Sequence, residues 1–99
     1  MMKLPQEEME DIARRARSLR LSYQLTQDGL AERSGVSLGS IKRFERTGKI
    51  SLESLLKVAF ILDAMEDFSK LFIPKNDQPV QSLDSLIKAS KQRKRGVKR

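Results

Sequence analysis

The chain is expected to fold as an all-α protein. Three observations point there: apolar residues recur at helical rather than alternating spacing, most recurrences follow a residue suited to open a helix, and most are closed by Gly or Pro. No stretch of any length alternates as a strand would, and there is no internal repeat. A chain of 99 residues fits one compact domain and is too short for two cores with a cleft between them.

Pro5 followed by Gln6, Glu7 and Glu8 opens the first helix, since Pro suits the first helical position and acids complement the positive end of the helix dipole. Met9, Ile12, Ala13, Ala16 and Leu19 then form one apolar stripe, so this helix should run from about Gln6 to Leu21. Thr26 caps a second helix over 27–34, with Leu30 and Ala31 inward and Gly35 as the sharp turn that ends it. Ser37 caps a third, with Ile41 and Phe44 inward and Gly48 as its stop.

Ser51 caps a fourth helix in which Leu52, Leu55, Leu56, Ala59 and Leu62 form the expected core stripe. Val58, Phe60 and Ile61 make that segment apolar nearly all round, which suggests cover on more than one side. Met65, Phe68, Leu71 and Phe72 predict a short fifth helix ending before Pro74. The expected organisation is a helical domain over 1–73, a polar and Pro-containing linker over 74–81, and a final segment over 82–99. There Ser82 caps a short helix bearing Leu83, Leu86 and Ile87 ahead of a basic tail.

Composition narrows the chemistry. There is no Cys and no His, which removes disulfides, thiol catalysis, thiolate and imidazole metal sites, and the commonest general base near neutral pH. No metal or other cofactor is expected. The carboxylates Asp63, Glu66 and Asp67 fall on a helix-to-helix connection without a complementary base or phosphate loop, so no enzyme is expected either. The apolar runs are too short for a membrane span, the acidic N-terminal segment lacks the form of a secretory signal, and the absence of Cys fits a cytoplasmic address.

The formal charge is +7. Lys88, Lys91, Arg93, Lys94, Arg95, Lys98 and Arg99 account for all of the excess, and residues 1–87 are neutral. Within that neutral body Arg33, Lys42, Arg43, Arg46 and Lys49 oppose a single acid, Glu45, so one face is locally basic and suited to a polyanion. Two short helices meeting steeply need a small residue at their approach, a turn residue tolerant of positive φ, and apolar anchors on the second helix. Ala31, Gly35, Val36, Ile41 and Phe44 meet those demands in order, which reads as a helix-turn-helix. The second helix then has Leu38, Gly39, Ser40, Lys42 and Arg43 left for the DNA groove and backbone.

Over roughly Ile12 to Phe72 the sequence resembles the Cro/C1, or Xre, family of helix-turn-helix proteins. The likeness lies in the gap-free spacing of Arg20, Gln27, Gly35, Ile41, Glu45 and Gly48, followed by 51–59, SLESLLKVA. The resemblance implies a five-helix, lambda-repressor-like domain that binds double-stranded DNA in the major groove. It implies that Gln27 contacts backbone phosphate, that Leu38, Gly39 and Arg43 face base edges, and that Ser40, Lys42, Arg46 and Lys49 lie near phosphates, with Ser37 at the start of the reading helix. Arg43 is the main specificity candidate, because guanidinium pairs bidentately with guanine. Gly39 offers no side chain, which shifts readout toward DNA shape. Arg20 and Glu45 are expected to pair between the first and third helices. Gly29 and Gln24 depart from the family pattern.

The family commonly dimerises through its fourth and fifth helices. Phe60, Ile61, Phe68, Phe72 and Ile73 are therefore expected at a two-fold homodimer interface matching a palindromic operator, the alternative being a thicker core. The basic tail is a DNA-affinity element, a docking segment for a protein partner, or a solubilising extension. Ser82-Leu83-Asp84-Ser85-Leu86 ahead of an Arg/Lys end resembles HipB-type antitoxins, which implies an autoregulating repressor made beside a HipA-like kinase toxin. The alternative is a protein-bridging transcription cofactor of the multiprotein bridging factor type, with weak DNA binding.

Overall fold

A computed structural model describes residues 3–74, and within them the chain is all helical. The elements are α1 (Pro5–Ser22), α2 (Gln27–Ser34), α3 (Leu38–Thr47), α4 (Leu52–Ile61) and α5 (Met65–Phe68). The short helix and basic tail expected over 82–99 lie outside the described residues. The chain divides into two units, Met1–Ser69 and Lys70–Arg99. No helix among the described residues is long and apolar enough to cross a membrane.

Local chemistry sets most boundaries. Pro5 opens α1, and Glu7 Oε1 accepts a hydrogen bond from the Leu4 backbone N–H at 3.0 Å. The hydroxyls of Thr26, Ser37 and Ser51 accept from the N–H groups of Gly29, Ser40 and Ser54, so α2, α3 and α4 each begin with a satisfied cap. Gly35 and Gly48 end α2 and α3 in the left-handed region, at φ of 78° and 84°.

In the first unit α3 packs against α1 and α2, and α4 against α2. Leu30, Val36, Ile41, Val58 and Leu62 form the central cluster, with Leu19, Leu25, Ala31 and Ile61 packed around it. Ala13, Phe44 and Ala59 are also buried.

Two expectations change. Leu52 is not part of the core stripe but 65 % exposed, whereas Val58 is fully enclosed. The inward positions of α4 run 55, 58, 59 and 62, a helical repeat that leaves its first turn beyond the edge of the core. The fifth helix stops at Phe68, well short of Pro74. It has no side-chain cap at Ala64, and the Ser69 hydroxyl donates to the Glu66 carbonyl at 2.8 Å. In the second unit Phe72 takes a φ of 64°, which no helix accommodates, and Pro74 disfavours helical geometry at the residue before it.

Candidate nucleic-acid interface

Helix geometry separates α3 into two sides. At roughly 100° per residue, Gly39, Lys42, Arg43 and Arg46 fall on the arc opposite Ile41 and Phe44. Burial follows that division: the first four are exposed, Ile41 and Phe44 are buried, and Leu38, Ser40 and Thr47 are half-buried along the flanks. Among the described residues, Lys42, Arg43, Arg46 and Lys49 take part in no ion pair. Their charge is therefore available to an outside anion.

Each residue expected at the site has a definite place. The Ser37 hydroxyl accepts from the Ser40 N–H at 3.1 Å and donates to the Ser40 hydroxyl at 2.8 Å, so both side chains set the start of α3. Leu38, expected to face base edges, is half-buried, so only part of its side chain is open to a groove. A Cβ added at Gly39 meets nothing within 4 Å. Gln27, expected to reach a phosphate, donates from Nε2 to Glu45 Oε1 at 2.9 Å.

An open concavity of about 330 Å³ adjoins this face, lined by Ser40, Arg43, Lys49, Ile50, Ser51 and Ser54. Two cations and the amino-terminal cap of α4 border it, and no acid does. Such a notch suits a negatively charged oxygen. Thr47 orders its rim: the hydroxyl donates to the Arg43 carbonyl at 2.7 Å and accepts from the Lys49 N–H at 3.1 Å. Sequence reasoning did not single out Thr47, although a helical Thr hydroxyl commonly bonds the carbonyl four residues back.

Behind the face lies a buried ionic group. Arg20 donates from Nε to Glu45 Oε2 at 2.7 Å, from Nη2 to Oε1 at 2.9 Å, and from Nη1 to the Leu25 carbonyl at 2.7 Å. Both side chains of the pair are only 6 to 7 % exposed. This fork ties α1 to α3 and fixes the α1–α2 turn. Burial by itself would push the Glu45 carboxyl up. The hydrogen bonds from Arg20 and Gln27, with the charges of Arg20 and Arg17, outweigh it and hold Glu45 below its ordinary value.

A depressed carboxylate contributes stability that is fully present above its unfolded value and is lost as pH falls through the folded one. The melting temperature should accordingly drop as pH falls below roughly 4. In Glu45→Gln that acid-dependent part should be smaller, and an identical slope in thermal melts across pH would contradict this.

The residues proposed for a two-fold interface divide in the structure. Phe60 is 70 % exposed on α4, Ile61 packs on the core and Phe68 is half-buried. In the second unit Phe72 is fully exposed and Ile73 mostly so. The acids Asp63, Glu66 and Asp67 are all exposed, on the connection into α5 and on α5 itself.

No model of a known protein family matches this chain, and no curated protein matches it.

Proposed function

We propose that the chain is a sequence-specific DNA-binding repressor of the helix-turn-helix kind, with α2 and α3 as the helix pair and α3 in the major groove. The observation that carries this is the exposed arc of Gly39, Lys42, Arg43 and Arg46, basic and free of acid partners, on a helix anchored from behind by Ile41 and Phe44. A helix 10 residues long with one cationic face fits a groove about 12 Å wide. Arg43 reads base edges, Lys42, Arg46 and Lys49 meet phosphates, and the concavity beside Arg43 and Lys49 receives backbone oxygen.

The protein acts as a homodimer on a palindromic operator; the exposure of Phe60 on α4 supports an apolar contact there. Its role is that of an antitoxin repressing its own operon and binding a HipA-like kinase toxin in the cytoplasm. That part rests on the sequence of 82–99.

The experiment is a binding titration across a salt series, on a duplex selected from a random pool and on a shuffled duplex. Arg43→Ala should remove most discrimination between the two, roughly 1 to 3 kcal/mol. Truncation after Ser90 should weaken both about equally and flatten the salt dependence. Unchanged preference in the Arg43 variant would sink the assignment, and equal weak binding of both duplexes by the intact chain is what the bridging-cofactor reading expects.

A further inference from the structure

The exposed arginines of α1 differ in one respect that sequence does not reveal. Arg14 pairs with Asp11, and Arg15 Nη2 lies 3.3 Å from Glu8 Oε2, so each has an acid of its own helix, shared in both cases with Lys3. Arg17 has no acid three or four residues away in either direction, where Ala13, Arg14, Arg20 and Leu21 stand. Its ion-pair partner is Glu45, with Nε 4.0 Å from Oε1.

That carboxylate is already occupied. Arg20 takes both of its oxygens at 2.7 and 2.9 Å, and Gln27 takes Oε1 again at 2.9 Å. At 4.0 Å Arg17 is held by attraction without a hydrogen bond to Glu45, and it is 59 % exposed. One negative charge thus faces two guanidiniums. Arg20 is the enclosed one, and the surplus positive charge stands at the surface on Arg17.

Its position gives this charge a use. Arg17 Nε and Gln27 Nε2 reach the same oxygen, so they lie within about 7 Å of each other. Gln27 is the first residue of α2, where the helix dipole is positive. We propose that Arg17 is a further phosphate contact, delivered by α1 beside the amino-terminal end of α2 and kept in place by Glu45. This rests on the DNA-binding reading. Three helices then touch the duplex, α1 and α2 on its backbone and α3 in its groove. Because Arg17 meets only phosphate, it adds affinity without adding sequence preference.

The test uses the full chain, titrated by fluorescence anisotropy against the selected and the shuffled duplex between about 50 and 200 mM salt. Arg17→Ala should weaken binding to both duplexes by the same factor, roughly 3- to 10-fold at the low-salt end. It should also reduce the slope of log affinity on log salt by about 0.9, the value of one phosphate contact. Arg17→Lys, which keeps the charge, should restore most of the slope. If Arg17 only screens Glu45, the Ala variant melts earlier but keeps the wild-type slope, and the inference is overturned. A loss confined to the selected duplex overturns it too, by showing a base contact. Should the unaltered chain bind neither duplex, the DNA-binding reading falls with it; should it bind normally with Arg17→Ala unaffected, only the inference falls.

Discussion

Arg20→Ala lowers the unfolding free energy by roughly 3 to 5 kcal/mol, the cost of leaving one member of an enclosed ion pair without its partner. The substitution removes three hydrogen bonds at once, two to Glu45 and one to the Leu25 carbonyl. The Gln27 hydrogen bond and the Arg17 charge 4.0 Å away are what remain on the carboxylate. A domain of this size has on the order of 5 to 10 kcal/mol to lose, so the variant stands near the edge of unfolding at room temperature. Denaturant titration measures this directly. A loss under about 1 kcal/mol, the value of a solvent-exposed pair, would show that water already screens the fork. Arg20→Met combined with Glu45→Leu should recover most of the loss, because no charge is then stranded.

Gly48→Ala should destabilise by about 3 kcal/mol or more, whereas Gly35→Ala should cost only about 1 to 2. Both glycines have left-handed backbones, so both pay the ordinary penalty for a side chain there. They differ in surroundings. A Cβ at Gly35 meets nothing within 4 Å, but at Gly48 it would stand 2.9 Å from the backbone C and O of Met9 and 3.1 Å from the N of Glu10. Those are main-chain atoms in the second turn of α1, which cannot rotate aside as a side chain would. Equal losses in the two variants, compared in the same thermal or denaturant melts, would mean that α1 shifts to make room.

These two predictions mark how far the sequence was legible. Caps and stops were readable because they depend on a few neighbouring residues: Thr26, Ser37, Ser51, Gly35 and Gly48 all act where they were expected. The inward residues of α2 and α3 were readable for a similar reason, since short amphipathic helices with one apolar side have one way to face a core. The fourth helix is apolar nearly all round, so periodicity alone could not choose its rotation, and Leu52 and Val58 exchanged roles once α2 packed on it. Among the candidate site residues, exposure on α3 followed from helical angle. The link from Gln27 to Glu45, the surplus charge on Arg17 and the crowding at Gly48 are contacts between distant parts of the chain. No local pattern encodes them.

Gly39 has a consequence for how the protein can change over generations. A position on the outer face of a helix with open space above it accepts a Cβ without touching any neighbour. Replacing Gly there also favours the helix, by less than the roughly 0.5 to 1 kcal/mol of a helix interior because residue 39 is the second of α3. Most substitutions on a small domain are screened first by whether it still folds. At residue 39 a small side chain passes that screen, and such a variant survives or disappears through what the side chain meets outside the molecule.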